Sequence, residues 1–193
     1  MRYQNPIPNP LSQYWEEDDK VYAIPNISGE KVLVDKPDKM SDFYVNLVKK
    51  YPIYIIEDPL AEEDWAGWKA FSKKLNLKEK LLVGDDLTVT NPSRVARAAK
   101  QGVINGLIIK PNQIGTLSEV FEVIKLCNRY RIAKIISHRS GETIDSFIAD
   151  LSVAANAGFI KDGAPVRGER VAKYNRLLRI EEEINMNSMG NGV

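Results

Sequence analysis

Residues 106–142 read GLIIKPNQIGTLSEVFEVIKLCNRYRIAKIISHRSGE. This stretch opens with a short apolar run at 106–109 and reaches a second one at 133–136, and each run contains a pair of isoleucines. Between the two runs, Thr116 is followed at helical spacing by Leu117, Val120, Phe121, Ile124 and Cys127. The stretch therefore predicts a strand, a helix that begins after Thr116, and a second strand.

The same unit recurs along most of the chain. Apolar runs begin at residues 53, 80, 106, 133 and 158, at intervals of 27, 26, 27 and 25 residues. Each interval has room for a strand, a loop and a helix of about three to four turns. Strands that are almost wholly apolar, each followed by a helix, are typical of a parallel sheet covered by helices. The pattern predicts an α/β fold with about five parallel strand–helix units.

Capping residues indicate where the helices begin. Asn91 followed by Pro92 predicts the start of one helix, and Thr143 is expected to open another. A last helix is predicted over about residues 167–184, with its charged residues on a solvated face.

The two ends of the chain differ from this repeat. Three prolines in positions 6–10 argue against regular structure there, residues 21–34 are interpreted as a hairpin, and residues 41–51 as a short helix. Residues 185–193 lack apolar periodicity and are expected to be disordered. We predict an N-terminal segment at 1–50, the repeat region at 51–184, and a tail at 185–193.

Composition narrows the class of protein. The chain has 27 Lys and Arg against 26 Asp and Glu, a formal net charge of +1, which gives no overall attraction to nucleic acid or to an anionic membrane. Its single cysteine, Cys127, excludes an internal disulfide and is predicted to be buried and unreactive. No signal peptide or membrane span is recognisable, so we expect a soluble, cytoplasmic protein.

Ligands of parallel α/β folds bind at the carboxyl ends of the strands. Each predicted strand ends in ionisable residues, namely Glu57 with Asp58, Asp85 with Asp86, Lys110, His138 with Arg139, and Lys161. One charged strand end is commonplace, because a chain that leaves the core meets water. Here all five are charged, and the first two are acidic while the next three are basic. Adjacent carboxylates suit Mg²⁺, and a neighbouring basic arc suits an anionic substrate.

The basic arc contains different kinds of group. Arg139 has the planar fork that binds phosphate through two hydrogen bonds, and Ser140 adds a donor. A lysine placed among other positive charges can act as a general base. His138 is the only histidine, and its position is compatible with a structural or a catalytic role.

Five segments resemble motifs of the enolase family in order and spacing. They are IEDP at 56–59, GDDLTVTNP at 84–92, IKPNQIGT at 109–116, SHRSGET at 137–143 and RLLRIEEE at 176–183. A weaker similarity, to a Ser-Glu-Phe-Tyr segment of that family, lies at 12–15. The resemblance implies a partial (β/α) TIM-type barrel of the enolase C-terminal domain, without the family's N-terminal domain and first barrel strands.

The resemblance also implies roles for individual residues. Glu57 and Asp85 would be ligands of magnesium, and Lys110 would be the base that removes the proton next to the substrate carboxylate. Lys161 would neutralise that carboxylate. The remaining expected site residues are Arg139 and Ser140 at the phosphate, His138 beside the substrate, and Asp86 and Gln113 as supporting partners. The implied reaction is dehydration of 2-phosphoglycerate to phosphoenolpyruvate in glycolysis.

The chain also departs from the family pattern. Enolases place a third metal-binding carboxylate on the strand before the Ser-Glu-Phe-Tyr segment, and the corresponding place near Pro8 has no acid. Five units leave two sheet edges open, so we expect the hairpin, a second copy or a companion chain to cover them. Three hypotheses remain: an enolase that needs a further portion or partner, a degenerate enolase that binds without turnover, and a scaffold protein.

Overall fold

The computed structural model describes residues 15–16, 18–19, 21–25, 31–34 and 37–190. Its first part is a small antiparallel sheet in the order β1-β2-β3, formed by Trp15–Glu16 (β1), Val21–Pro25 (β2) and Lys31–Val34 (β3). The predicted hairpin is confirmed, with β2 and β3 paired antiparallel. Helix α1 follows at Pro37–Lys50, so it begins before the predicted start at residue 41. The proline-rich segment at 6–10 lies outside the described residues.

The second part is a five-stranded parallel sheet in the order β4-β5-β6-β7-β8. Its strands are Ile55–Glu57 (β4), Leu81–Gly84 (β5), Gly106–Ile109 (β6), Ala133–Ser137 (β7) and Phe159–Lys161 (β8). Its helices are Trp65–Lys74 (α2), Pro92–Gln101 (α3), Pro111–Ile114 (α4), Leu117–Tyr130 (α5), Phe147–Ala154 (α6) and Gly168–Gly190 (α7). Five parallel strands with helices confirm the predicted α/β partial TIM barrel.

Of the three helix starts predicted from capping residues, two are correct. The side chains of Asn91 and Thr116 accept hydrogen bonds from backbone N–H groups in the first turns of α3 and α5. The prediction for Thr143 was wrong, because α6 begins at Phe147, after Ser146. The Thr143 hydroxyl instead accepts a hydrogen bond from the Asp145 N–H, which closes a turn before the helix.

The C-terminal helix is longer than the sequence pattern indicates. Helix α7 continues to Gly190, so residues 185–190 are helical where a disordered tail was expected, and residues 191–193 lie outside the described part. Its final turns gave no apolar periodicity because residues 181–186 are exposed. The division of the chain at residues 50 and 184 stays a prediction.

The three central strands of the parallel sheet, β5 to β7, are buried on both faces, as their apolar sequences require, whereas β4 and β8 are partly exposed. One face packs against the helices in a large core that includes Leu82, Leu107 and Ile136. The opposite face carries a small separate cluster of Val83, Ile108 and Ile135, with partly buried Leu81 against it. The buried thiol of Cys127 belongs to the large core, and burial raises its pKa to about 12, as expected for an unreactive cysteine.

Tyr22 connects the small antiparallel sheet to the barrel. This fully buried residue of β2 accepts a hydrogen bond from the Ala61 N–H at 2.8 Å and donates to Asp64 Oδ2 at 3.1 Å. Trp68 Nε1 donates to the Ala61 carbonyl at 3.0 Å, so the same residue is held from both sides. These bonds fix the loop that leaves β4, which is the loop that carries the first acidic strand end.

Candidate functional site

The charged strand ends meet at one mouth of the barrel. Lys110, at the end of β6, places Nζ at 2.6 Å from Oδ2 of Asp85, which follows β5. Both side chains are largely buried, with 16% of the lysine and 8% of the aspartate exposed. A close, poorly hydrated pair of this kind is less screened than a surface ion pair. The acidic and basic halves of the predicted site are therefore in contact here.

A second pair spans the mouth. Lys161 Nζ lies at 2.5 Å from Glu57 Oε1, although these residues end the two outermost strands, β8 and β4. The contact shows how strongly the sheet curls, because the outer strands of a flat five-stranded sheet are about 19 Å apart. Glu57 and Lys161 are both half-exposed at this point, so the pair faces the open side of the mouth.

A hollow of about 440 Å³ lies among these ends. Its walls include seven of the nine residues that the sequence singles out: Asp86, Lys110, Gln113, His138, Arg139, Ser140 and Lys161. The other two, Glu57 and Asp85, join it through their contacts with the two lysines. The structure thus brings all nine together, and their roles stay predictions.

Sequence reasoning gave no role to Asp58, although it stands next to Glu57. Its carboxylate accepts the backbone N–H of Asp85 at 3.0 Å and of Asp86 at 2.8 Å, and so holds the loop after β5 against the loop after β4. Burial raises the pKa of Asp58 to about 7, although those two hydrogen bonds act to lower it. Its position beside Glu57 at a strand end was the sequence signal that could have identified it.

The carboxylates fit a divalent cation. Asp58, Asp85 and Asp86 each offer an oxygen within 4.8 Å of the others. Asp85 is 6% exposed, and its Oδ1 is buried without a hydrogen-bond partner among the described residues. Burial raises the pKa of Asp86, and the charge of Asp85 adds to the shift. A buried carboxylate oxygen without a donor is costly, and Mg²⁺ or a similar hard cation takes oxygen ligands of this kind.

The expected place of a third metal-binding carboxylate is near Pro8, where the sequence has no acid. The position near Pro8 that would correspond to it lies outside the described residues. Within the described part, Glu57 turns its carboxylate to Lys161, whereas Asp85 keeps one oxygen free of protein donors. Asp85 is therefore the strongest candidate ligand on geometric grounds.

A strained turn positions Lys110. Val89 and Thr90 both have positive φ, at 45° and 56°, a conformation that costs β-branched residues roughly 1–3 kcal/mol each. The buried Thr90 hydroxyl accepts the Lys110 N–H at 2.9 Å and lies 3.4 Å from Gln113 Oε1. The turn after β5 thus fixes the base candidate and its neighbour on the next strand, which no periodicity in the sequence could show.

His138 is held by a buried network of charges. Its Nδ1 lies at 3.0 Å from Asp162 Oδ1 and 3.4 Å from Glu142 Oε2. Lys173 Nζ and Arg170 Nε each donate to Glu142 at 3.0 Å. Burial acts to raise the pKa of Glu142, but the hydrogen bonds from these two cations outweigh it and hold the pKa below its ordinary value. Sequence reasoning missed Asp162, although it directly follows Lys161 at a strand end.

The fold and the site together define a (β/α)-barrel domain that sets lysines against carboxylates at the carboxyl ends of parallel strands. Such an arrangement is compatible with the binding of a small molecule at this mouth. A family model described as "Enolase, C-terminal TIM barrel domain" matches residues 9–193. The chain belongs to this enolase C-terminal domain family, which confirms the resemblance at the level of the family.

Family membership supports a function of the enolase superfamily. Domains of this kind typically use a metal ion and act on small molecules, and the acidic groups described above are compatible with metal binding. Over the residues that the structure covers, none of the helices combines the length and the apolar character that crossing a lipid bilayer demands.

Proposed function

We propose that this domain carries out the Mg²⁺-dependent dehydration of 2-phosphoglycerate to phosphoenolpyruvate. One observation carries the proposal. Two lysines, Lys110 and Lys161, contact two strand-end carboxylates at the rim of a single hollow, and Arg139 lines the same hollow. Proton removal next to a carboxylate needs a base and a source of positive charge at the same place.

Lys110 is the proposed base. It takes the proton from the carbon that bears the phosphate, next to the substrate carboxylate. Thr90 fixes the backbone of Lys110, and the short contact with Asp85 holds the side-chain nitrogen of Lys110 at the mouth before substrate binds. Lys161, which is half-exposed at the rim, neutralises the substrate carboxylate as negative charge develops on it.

Arg139 and Ser140 are the proposed phosphate-binding residues. Both are exposed on the loop after β7 and both line the hollow, so an incoming phosphate reaches them without rearrangement of the core. A guanidinium group binds two phosphate oxygens at once, which also fixes the orientation of the substrate. His138 lies beside them on the same wall.

Glu57 and Asp85 are the proposed ligands of the magnesium ion, with Asp86 and Gln113 as supporting neighbours. The unpartnered Oδ1 of Asp85 supports this assignment. When bound, the ion would supply Lewis-acid stabilisation of the charge that forms on the substrate carboxylate. The protein residues supply the base, the phosphate contacts and the orientation.

We also propose that a second copy of the chain or a companion chain covers the sheet edges. Among the described residues, β4 pairs with β5 alone and β8 pairs with β7 alone, while the β1-β2-β3 sheet stays separate. Open edges favour pairing with another chain. The departing hydroxide must also be protonated to leave as water, and we assign that acid to the covering chain. The predicted cytoplasmic setting is compatible with the single buried thiol.

Phosphoenolpyruvate formation, followed by ultraviolet absorbance at millimolar Mg²⁺, tests the proposal. The Lys110→Ala variant lacks the proposed general base, so its turnover should be about 10²- to 10⁴-fold lower. Lys100→Ala is the matched control, because Lys100 is an exposed lysine on α3, far from the hollow. Specific activity should rise with protein concentration if a second copy covers the edges, and a bound companion chain should raise it at fixed concentration.

Three outcomes separate the hypotheses. Turnover that is lost in Lys110→Ala and kept in Lys100→Ala supports the proposed reaction. Metal-dependent binding of 2-phosphoglycerate without turnover at any protein concentration would instead identify a degenerate enolase that only binds. Neither turnover nor binding would leave the scaffold hypothesis.

A further inference from the structure

The side chain of His138 is anchored from one ring nitrogen. Nδ1 faces Asp162 Oδ1 at 3.0 Å and Glu142 Oε2 at 3.4 Å. Among the described residues, no protein hydrogen bond is formed by the other nitrogen, Nε2, and the ring lines the hollow. One side of the ring is therefore fixed to carboxylates, and the other is available to a ligand.

The backbone makes this pairing a property of the fold. Strands β7 and β8 run parallel, and their ladder continues past Ser137 and Lys161, with the His138 N–H donating to the Lys161 carbonyl at 3.3 Å. The residue that directly follows β8 is Asp162, which is 2% exposed. Adjacent positions on paired strands bring the imidazole and the carboxylate together without a flexible loop.

The second carboxylate near His138, that of Glu142, already forms hydrogen bonds with two cations. Glu142 accepts hydrogen bonds from Arg170 and Lys173, both at 3.0 Å, whereas the nearest basic nitrogen to Asp162, besides the His138 ring, is Lys173 Nζ at 3.8 Å. Oδ2 of Asp162 is buried and has no partner among the described residues. Asp162 therefore has His138 as its closest hydrogen-bonding partner, whereas Glu142 has two cations.

We infer that Asp162 is a positioning residue, which fixes the Nδ1–H tautomer of His138 and presents Nε2 to the substrate hollow. A carboxylate only accepts hydrogen bonds, so the nitrogen that faces it must carry the proton. The inference rests on the proposed function for the identity of the substrate, whereas the tautomer itself is a property of the chain alone.

A metal ion is the competing explanation of this cluster, because His138, Glu142 and Asp162 place ligand atoms within 4.8 Å of one another. The charges argue against it. Lys173 and Arg170 already contact Glu142 at 3.0 Å, Lys173 Nζ also lies 3.8 Å from Asp162 Oδ1, and the Lys173 side chain is only 4% exposed. A divalent cation would have to enter beside two buried or half-buried positive charges, which is unfavourable at low dielectric.

The test uses the fact that the chain has one histidine, so its ring nitrogens give a single set of ¹⁵N signals. At a pH where the ring is neutral, the wild-type spectrum should show a protonated Nδ1. Asp162→Ala should convert it mainly to the Nε2–H form that free imidazole prefers in water, and should lower kcat/KM about 10- to 100-fold. Glu122→Ala, which removes an exposed carboxylate from α5, should change neither.

A second variant covers the possibility that Asp162→Ala does not fold. Asp162→Asn keeps the shape and offers Nδ1 both an acceptor and a donor, so both tautomers should be populated. The inference is overturned if the wild-type ring is protonated mainly at Nε2, or if both variants keep the wild-type nitrogen shifts. It is also overturned if Zn²⁺ or Mg²⁺ shifts Nδ1 in the wild type but not in Asp162→Ala, which would identify a metal site. Since the tautomer is read without turnover, loss of the proposed reaction alone would leave this result standing.

Discussion

Replacing Tyr22 by phenylalanine removes one hydroxyl from the junction between the β1-β2-β3 sheet and the barrel. Burial raises the pKa of this hydroxyl far above its ordinary range, so it stays protonated and donates to Asp64. It also accepts the Ala61 N–H at 2.8 Å. Tyr22 is fully buried, and Ala61 and Asp64 are 1% and 4% exposed, so water cannot replace the lost hydroxyl without opening the junction.

The expected cost follows from the groups left behind. An orphaned buried N–H costs about 1–3 kcal/mol, and the loss of one hydrogen bond to a carboxylate that keeps other partners adds about 1 kcal/mol. Since the aromatic ring itself is kept, no cavity term is added. The variant should lose about 2–4 kcal/mol of unfolding free energy, which for a chain of this length lowers Tm by about 4–16 °C.

Urea unfolding followed by circular dichroism measures this loss, and Tyr44→Phe is the matched control. Tyr44 lies on α1 and is half-buried, and its hydroxyl makes no hydrogen bond among the described residues. Its removal should change stability by less than about 0.5 kcal/mol. Equal effects of the two substitutions, or a loss below about 0.5 kcal/mol for Tyr22→Phe, would refute the role given to this hydroxyl.

Two further substitutions test packing and charge. A methyl group on Gly106 would lie 2.7 Å from Val83 Cγ2 on the neighbouring strand, so Gly106→Ala should cost about 1–3 kcal/mol in urea unfolding. Gly141→Ala, where a new methyl meets no atom within 4 Å, should cost less than about 0.5 kcal/mol. The folded-state pKa of Glu142 lies below its ordinary 4.5, so its stabilising contribution is present above that value and is lost as the pH falls through the lower one. Glu142→Gln should therefore destabilise the protein at neutral pH and progressively less in acid; a pH-independent difference in unfolding free energy would contradict the ion network.

The regular part of the fold was predictable because it repeats. Intervals of 25–27 residues between apolar runs placed all five parallel strands, and four of the observed strands begin within one residue of the predicted start. The first strand begins two residues late, at Ile55. Its apolar run starts earlier, but the register with β5 begins at Ile55, opposite Leu81.

The charged residues at the strand ends predicted where the mouth of the barrel lies, but not which side chains form hydrogen bonds there. Asp58 and Asp162 accept hydrogen bonds from residues of the neighbouring loop or strand. Strand register and loop shape decide which residues meet, and neither can be read from periodicity. The start of α6 was missed for a related reason. Glu142 is drawn into the cluster around Lys173, so the chain forms a turn there before the helix can begin.

The hollow is proposed to hold an organophosphate beside a divalent cation. Calorimetric titration with 2-phosphoglycerate at millimolar Mg²⁺ measures this most directly. Because a charge-assisted hydrogen bond contributes about 1.5–3 kcal/mol, Arg139→Ala should weaken binding about 10- to 100-fold. Arg129→Ala, an exposed arginine on α5, should bind like the wild type. Binding that is unchanged in Arg139→Ala, or that is the same with and without Mg²⁺, would contradict the account.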